Sequence, residues 1–476
     1  MKRSSLLLPL LLIITQTLIA QTPTWRPKPQ TSHDLSEDAN VIVPTKKTTK
    51  TANKSAEMPA QGTPQYMERN GIPNFGKPVF EVIPVENQPK PPHELRGVWV
   101  STVQRVDFPS KASTDPVFLK KEWMTLLKFY KSLNLNAVIV QIRPTGDAIY
   151  PSKIVPYSQW LTGKSGRGLM GNYDLLKFMI ESSHKEGIEF HAWINPYRVI
   201  IDGDTTRLDA KHPFNAHRDW MVKYGREYLL NPGIPDVRKY LSSVVEEIVQ
   251  KYDIDAIHFD DYFYPYRLPN ETFFDAETFQ QYGQGFNSRD DWRRSNTDSL
   301  ISDIRQVIKR NKPNVQLGVS PNAVWRNLKD DPSGSDTRAY QRSYDDLYAD
   351  VKGWIQNGWL DYVAPEIYFH RGFSVVDYEK ILDWWTKNSD GTRLYISHAV
   401  YKINHQPKYP AWSDPSEIPM QLQLARSKPK VEGLVFFSSK SLIDNPLGFT
   451  DILRNEIFLD MAKLPPLNIS TVGNGF

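Results

Sequence analysis

The chain has 476 residues, and its 58 lysine and arginine residues against 54 aspartate and glutamate residues give a formal net charge of +4. So small a net charge for this length does not indicate a nucleic-acid partner. The sequence contains no cysteine, which excludes disulfide bonds, thiolate metal sites and a cysteine nucleophile.

The N-terminal segment has the layout of an export signal. The basic start Lys2-Arg3 precedes an apolar run at 6–14, and Leu-Ile-Ala at 18–20 resembles a cleavage site. The apolar run is short for a permanent membrane anchor, although an uncleaved anchor is the alternative. We expect residues 1–20 to be a signal peptide, with no membrane span after its cleavage and a periplasmic or secreted location.

A polar segment separates this signal from the predicted folded domain. Residues 21–91 are rich in Thr, Pro, Lys and Gln and carry few large apolar side chains. Such a segment buries too little surface to offset its ordering entropy, so we expect a disordered, low-complexity tether. The folded domain is expected at 92–462 and a C-terminal tail at 463–476.

Short apolar runs alternate with longer helical segments through the folded domain. The predicted strands are Leu95–Val100, Ala137–Ile142, Glu189–Ile194, Ala256–Phe259, Gln316–Val319, Tyr362–Ala364, Leu394–Ser397 and Leu434–Phe437. Their nearly continuous apolar character is typical of a parallel sheet that is buried on both faces. The segments between them carry apolar residues at helical spacing, as at Val237, Leu241, Val244 and Ile248.

Eight strand–helix units predict an α/β fold, a closed (β/α)8 TIM barrel. An open doubly wound sheet is the main alternative. That fold usually carries a glycine-rich phosphate turn after its first strand, and residues 98–102 do not form one.

Two adjacent carboxylates follow the fourth predicted strand directly. Asp260 and Asp261 come after Phe259 and precede a group of aromatic residues at 262–266. Paired carboxylates beside aromatic faces suit glycoside hydrolysis, whose oxocarbenium-like transition state needs an acid and a negative charge. The alternative is a turn at a strand end with solvated acids.

Glu366 stands inside the sixth predicted strand region, between Pro365 and Ile367. A carboxylate among apolar neighbours is costly to bury, which favours a functional role. We therefore expect catalysis from Asp260, Asp261 and Glu366. Asp260 is the expected nucleophile or transition-state stabiliser, and Glu366 or Asp261 is the expected general acid.

Further polar and aromatic residues lie in or just after the predicted strands, where a barrel builds its active site. We expect substrate contacts from Arg96, Arg143, Asp147, His191, Trp193, Asn195, Tyr197, Tyr262, Asn322, Trp325 and Tyr368. Arginine and asparagine would hold sugar hydroxyl or acetamido groups, and the aromatic rings would stack on sugars. Alternatives remain open, because the arginines could pair with structural carboxylates, His191 could be a barrel-interior residue, and the tryptophans could belong to the core.

Other chemistries lack their motifs. The sequence has no Gly-x-Ser-x-Gly elbow, no phosphate-binding glycine loop with lysine and no His-Glu-x-x-His zinc helix. Aspartate and histidine could still hold a metal ion, but no spacing demands one. We expect neither a cofactor nor a metal.

Five stretches carry a resemblance to a known family. They are Glu-Leu-Arg-Gly-Val-Trp-Val-Ser-Thr at 94–102, Val-Gln-Ile-Arg-Pro-Thr-Gly-Asp-Ala-Ile-Tyr-Pro-Ser at 140–152, His-Ala-Trp-Ile-Asn-Pro-Tyr-Arg at 191–198, Asp-Asp-Tyr-Phe-Tyr-Pro at 260–265 and Ser-Ser-Lys-Ser-Leu-Ile-Asp-Asn-Pro-Leu-Gly-Phe at 438–449. The chain resembles the glycosyl-hydrolase-like family ten, bacterial envelope proteins that include divisome-localised peptidoglycan glycosidases. The resemblance implies a barrel that acts on cell-wall glycan strands free of peptides, and cell-division proteins as partners.

Two departures concern the catalytic acids. Family members often read Pro-Gln-x-Tyr where this chain has Pro-Glu-Ile-Tyr at 365–368, so the resemblance does not assign Glu366. In chitinase-like barrels the motif after the fourth strand ends in an acid, and here Tyr262 replaces it. Attack by the substrate's own N-acetyl group would therefore need an acid from another strand. A glycan-binding barrel without catalysis and a glycosidase of another polysaccharide are the alternative functions.

Overall fold

The computed structural model describes residue 91 and residues 93–466, so the predicted signal peptide, nearly all of the tether and residues 467–476 lie outside the described residues. The strands are β1 Leu95–Val100, β2 Ala137–Arg143, β3 Glu189–Ile194, β4 Arg198–Ile200, β5 Met221–Tyr224, β6 Glu227–Leu230, β7 Ala256–Phe259, β8 Gln316–Val319, β9 Tyr362–Val363, β10 Arg393–Ala399 and β11 Val431–Phe437. Eight of them close into a barrel in the order β1-β11-β10-β9-β8-β7-β3-β2. All the barrel pairings are parallel, which confirms the predicted (β/α)8 fold.

Helices connect the strands and pack around the barrel. They are α1 Pro116–Ser132, α2 Gln159–Thr162, α3 Leu175–Lys185, α4 Pro213–Ala216, α5 Pro235–Lys251, α6 Ala276–Tyr282, α7 Arg289–Asn311, α8 Ser343–Asp346, α9 Val351–Gln356, α10 Tyr378–Asn388, α11 Glu417–Arg426, α12 Ser439–Asp444 and α13 Phe449–Ile452, followed by a π-helical turn at Leu453–Ile457. Sequence signals define their ends: Asp115 accepts a hydrogen bond from the Val117 amide at the start of α1, with proline at the first helical position. None of the helices within residues 93–466 is long and apolar enough to cross a bilayer.

The inward faces of the barrel strands form their own apolar cluster. Its buried members are Leu95, Trp99, Ala137, Ile139, Trp193, Ala256, Tyr362, Ala364, Tyr395 and Val435. Tyr362 lies so close to β8 that a Cβ atom on Gly318 would stand 1.9 Å from its ring. The barrel is therefore filled by side chains, and polar groups are free to act at its ends.

A small antiparallel sheet, which the sequence analysis did not predict, is inserted between β3 and α5. Its strand order is β4-β6-β5, and β5 and β6 form a hairpin whose turn contains Gly225 at φ 55°. The sheet begins only four residues after β3 ends. It therefore lies beside the carboxyl end of the barrel.

The end of the described chain packs against the opposite end of the barrel. His93 forms a parallel bridge with Lys463, and the Glu94 amide donates to the Lys463 carbonyl over 2.8 Å. Leu464 packs against the inward-facing cluster of the barrel. Residues 463–466, which the sequence analysis assigns to the tail, thus belong to the packed domain.

Candidate active site

Three carboxyl groups meet at the carboxyl ends of the barrel strands. Asp260 and Asp261 follow β7 directly, and Glu366 lies beyond β9, where its backbone bridges Asn322 and Ser397. Asp260 and Asp261 are buried and Glu366 is half-buried. The negative charges of both aspartates act on Glu366 and raise its pKa, so the three groups lie within electrostatic reach of one another.

The two oxygens of Asp260 have different surroundings. Trp193 Nε1 donates to Oδ2 over 3.1 Å, and Asn195 Nδ2 donates to the same oxygen. Oδ1 is buried and has no hydrogen-bond partner in the described part of the chain. Burial raises the pKa of Asp260 to about 6, and the nearby Arg198 guanidinium opposes that rise.

Asp261 is held by a tyrosine from the same loop. The Tyr266 hydroxyl donates to Asp261 Oδ2, and Asn322 Nδ2 donates to the Tyr266 oxygen over 3.3 Å. Burial raises the pKa of Asp261 to about 7. The Tyr266 hydrogen bond opposes the rise and the charge of Asp260 adds to it. Tyr266 is not among the predicted site residues, and its place in the aromatic segment after Asp261 is the sequence signal that could have suggested it.

Glu366 has the most strongly perturbed environment of the three. Ser320 Oγ donates to Glu366 Oε1 over 3.2 Å. Burial, then the charges of Asp261 and Asp260, raise the pKa of Glu366 well above its usual value. Glu366 is therefore the carboxyl that keeps its proton most readily near neutral pH, as a general acid requires.

Arg198, the first residue of β4, brings a positive charge to the acids. Its guanidinium lies 3.8 Å from the centre of the Tyr262 ring and 3.8 Å from Glu227 Oε1. Glu227 is the first residue of β6, so the inserted sheet supplies both the cation and its second partner. Arg198 lowers the pKa of Asp260 and Asp261 but does not cancel the effect of burial.

Aromatic side chains surround and support the acids. The Tyr262 and Tyr266 rings lie 5.5 Å apart, and the charge of Glu366 acts on both hydroxyls. Tyr368 is hydrogen bonded to Ser397 Oγ over 3.0 Å, and the same serine accepts from Trp99 Nε1 over 3.1 Å. Tyr262 and Tyr266 remain half-buried, so part of each ring is open to a ligand.

Several residues expected to bind substrate lie elsewhere. Arg96 is at the start of β1, at the opposite end of the barrel, where it contacts Glu94 over 2.7 Å. His191 lies inside the barrel, between Tyr362 (2.8 Å) and Glu189 (3.0 Å). The structure corrects both expectations, because alternation along a strand selects the inward face but not the end of the barrel.

Two aromatic residues are also corrected. The Tyr197 hydroxyl is buried near Arg238 of α5 and Asp303 of α7, outside the ring of acids. Trp325 donates to Asp350 Oδ1 over 3.1 Å and stacks on Trp384. Both belong to the outer packing of the barrel, because they lie in loops where the strand alternation no longer directs side chains.

Arg143 and Asp147, also expected to bind substrate, are buried and form hydrogen bonds with neighbouring loop residues. Arg143 Nη1 donates to the Asn195 carbonyl over 2.7 Å and to the Pro196 carbonyl over 3.2 Å. Asp147 Oδ1 accepts from the Thr145 hydroxyl over 3.0 Å. Neither side chain is hydrogen bonded to the three acids in the described part of the chain, and Arg143 holds the backbone that carries Asn195.

The acids are not arranged as a metal site. Within residues 93–466, no group of three or more histidine, aspartate or glutamate side chains could hold a metal ion. A separate cavity of about 700 Å³, which we call the Arg–Asp cavity, is lined mainly by arginine and aspartate side chains. One of them is Arg267, the residue after Tyr266. Its charges pair with each other, as Arg342 does with Asp330 over 2.6 Å and Arg267 with Asp346 over 3.0 Å.

Comparisons with known proteins identify a family of glycosyl hydrolases. The family model described as glycosyl hydrolase-like 10 matches residues 94–414. The chain is 45% identical to glycosyl hydrolase YngK of Bacillus subtilis over 79% of this chain and 74% of that protein. It is 39% identical to glycosyl hydrolase DigH of Escherichia coli over 72% of this chain and 82% of that protein.

A solved structure is also similar, at a greater distance. The glycoside hydrolase domain of PgaB (BpsB) from Bordetella bronchiseptica is 14% identical and matches with a TM-score of 0.46, over 78% of this chain and 100% of that one. A similarity this distant carries no argument about substrate or mechanism.

Proposed function

Because the chain belongs to the glycosyl hydrolase-like 10 family and is therefore a glycoside hydrolase, we propose that it cleaves the glycan strands of peptidoglycan, or a related N-acetylated glycan, after their peptides have been removed. Support for this substrate comes from the five motifs that resemble envelope proteins acting on such strands, and from the predicted export signal. A periplasmic or secreted location and contact with cell-division proteins are parts of the same proposal.

The observation that carries the proposed mechanism is the contrast between Glu366 and Asp260. The pKa of Glu366 is raised well above its usual value, whereas that of Asp260 rises only to about 6. The environment of Glu366 therefore favours its protonated form, whereas Asp260 is mostly ionised above about pH 6. That pair provides the acid and the negative charge that glycoside hydrolysis requires.

The proton moves from Glu366 to the glycosidic oxygen as the bond to the anomeric carbon breaks. The positive charge that develops on the sugar faces Asp260, whose Oδ1 has no hydrogen-bond partner among the described residues. Asp260 acts either as the nucleophile or as the stabiliser of an attack by the substrate's own N-acetyl oxygen. Water then attacks the anomeric carbon and breaks its bond to that oxygen or to Asp260, and the Glu366 carboxylate takes the proton of the water. Glu366 follows a different strand from Asp260. Attack by the N-acetyl oxygen needs this arrangement, because its acid must come from another strand.

Asp261 and the two asparagines serve the same pair of acids. Tyr266 and Asn322 hold Asp261, whose negative charge helps to keep Glu366 protonated. Asn195 holds Asp260. In this proposal the asparagines orient carboxyl groups, and the half-buried Tyr262 and Tyr266 rings provide the surfaces on which sugars stack.

The test is product release from defined polymers. Purified peptide-free glycan strands, intact peptidoglycan and a glucan without N-acetyl groups are incubated with the protein, and soluble products are identified by mass spectrometry. We expect fragments from the peptide-free strands first. Cleavage of the glucan without cleavage of N-acetylated strands would overturn the substrate assignment and indicate a glycosidase of another polysaccharide.

A further inference from the structure

Gln141, the fifth residue of β2, is buried beneath the acids, and its oxygen is fully engaged. Its Oε1 accepts hydrogen bonds from the Thr102 amide over 3.0 Å and the Val103 amide over 2.8 Å. The Ser101 hydroxyl donates to the same oxygen over 3.1 Å. The loop after β1 therefore binds one defined end of the Gln141 amide.

These contacts fix the direction of a chain of amides. A backbone N–H can only donate, so the oxygen of Gln141 must face Thr102 and Val103 and its nitrogen must face away. Gln141 Nε2 then donates to Asn195 Oδ1 over 2.5 Å. With its oxygen facing Gln141, Asn195 must present its nitrogen to Asp260 Oδ2.

We infer that Gln141 is a positioning residue: through Asn195 it keeps a hydrogen-bond donor on Oδ2 of Asp260 and thereby reserves Oδ1 for the substrate. We call the three side chains Gln141, Asn195 and Asp260 the amide relay. The inference rests on the proposed role of Asp260 and adds the reason why its two oxygens differ. Trp193 is the second donor to Oδ2 and reinforces the same orientation.

The relay predicts the sign of a measurable change. Without Gln141 the Asn195 amide is free to rotate, and Asp260 loses a donor that favours its ionised form. The pKa of Asp260 must then rise further, on the order of one unit for one hydrogen bond of this kind. The other charged or titratable groups that act on Asp260 and Asp261, namely Arg198, Tyr262, Tyr266 and Glu366, are unchanged by the substitution.

The experiment compares Gln141→Met, Asn195→Leu and the double variant in the full chain. Methionine and leucine preserve the approximate shapes of glutamine and asparagine but remove the amide. The carboxyl carbon of Asp260, assigned by its loss in Asp260→Asn, is titrated by ¹³C NMR, and kcat/KM is followed against pH. Both single variants are expected to move the Asp260 titration and the acidic limb to higher pH by similar amounts, and the double variant no further than Asn195→Leu.

A matched control separates positioning from general stability. Gln421 of α11 is equally buried and binds the Phe369 carbonyl and Glu417, away from the acids. Gln421→Met should lower the melting temperature without moving the Asp260 titration. If Gln141→Met behaves like this control, the relay is wrong. If Gln141→Met still shifts the titration when Asn195 is already leucine, Gln141 acts through the β1 loop and not through Asn195.

The NMR titration does not depend on activity. Failure of the relay leaves the Asp260 titration of Gln141→Met equal to that of the wild type. Failure of the proposed catalytic role of Asp260 instead leaves Asp260→Asn as active as the wild type, whatever the titration shows. Should Gln141→Met fold poorly, Asn195→Leu alone must shift the titration, and an unshifted value there overturns the inference.

Discussion

The two ends of the barrel both bury carboxylates, but they treat them differently. At the amino end of the strands, Glu94 lies between Arg96 and Arg426, with contacts of 2.7 Å to each. All three side chains are almost fully buried. At the carboxyl end, the guanidinium of Arg198 acts on Asp260 and Asp261 and also contacts Glu227 over 3.8 Å.

The difference shows that ion pairing distinguishes a carboxylate that stabilises the fold from carboxyl groups that are available for catalysis. Burying a charge is costly, and two guanidinium groups offset that cost for Glu94. Among the three acids at the other end the cost is not offset, so the pKa of each carboxyl rises. Raised pKa values of this kind are what acid–base catalysis uses near neutral pH.

The largest expected effect comes from removing the negative charge of Asp260 at the carboxyl end of the barrel. Asp260→Asn should lower kcat by about 10⁴-fold or somewhat less, because the variant keeps the shape of the side chain but cannot stabilise positive charge. The measurement is the initial rate of fragment release from peptide-free glycan strands, with circular dichroism to verify folding. A folded variant with nearly full activity would show that Asp260 is not part of the chemistry.

Glu366→Gln should lower kcat on glycan strands by about 10³-fold. A general acid matters less when the leaving group needs no proton, so an activated aryl glycoside should lose roughly tenfold or less. Rates with both substrates are measured from pH 4 to 9. Activity should fall as pH drops through the pKa of Asp260, about 6, and fall again as pH rises through the pKa of Glu366. Equal losses on both substrates would reassign the acid, with Asp261 as the next candidate.

Removing the ion pairs of Glu94 at the amino end of the barrel should lower stability and leave activity unchanged. Glu94→Gln leaves two buried guanidinium groups without their carboxylate, which should cost about 3 kcal/mol in the free energy of unfolding. The value of kcat should stay close to that of the wild type. Urea unfolding and the glycan assay are run on the same preparation. A large loss of kcat in a folded protein would contradict the division between the two ends.

The smallest expected effect is on the pH dependence of stability. Burial raises the pKa of Asp260 from an ordinary 3.8 to about 6, so the folded state binds more protons than the unfolded state between those values. Stability contributed by this group is therefore present at low pH and is lost as pH rises towards 6. The asparagine of Asp260→Asn cannot ionise, so this variant does not lose this stability as pH rises. Its melting temperature at pH 8 should exceed that of the wild type by roughly 2 °C. An equal or lower melting temperature would mean that Asp260 is not desolvated.

Most of the fold could be predicted from the sequence because the barrel strands are apolar runs with polar or glycine boundaries. Four strands, β1, β3, β7 and β8, have the predicted bounds. The inserted sheet was missed because β4 has only three residues. The alternation in Met221–Tyr224 and the glycine turn after it were signals that could have revealed the hairpin.

The site was only partly predictable, for reasons of geometry. The expectation that residues after the barrel strands share one site, which we call the strand-end rule, brings Asp260, Asp261 and Glu366 together. It does so because parallel strands end on the same side of a barrel. The rule fails for Arg96, which is the second residue of β1 and so lies at the amino end of the strand. It fails for Arg143 because the β2–β3 register shifts between Gln141 and Arg143, so Arg143 leaves the inward alternation. The role of Tyr266 depends on the path of a loop, which the sequence pattern does not encode.

The most direct test of the account is a crystal structure of Glu366→Gln with an uncleaved, peptide-free N-acetylated glycan fragment. We predict that the glycan crosses the carboxyl end of the barrel, with the scissile oxygen beside residue 366, the anomeric carbon on the side of Asp260 Oδ1, and sugars against Tyr262 and Tyr266. A glycan bound instead in the Arg–Asp cavity, with Asp260 and residue 366 out of contact with it, would contradict the claim that the unpaired acids perform the chemistry.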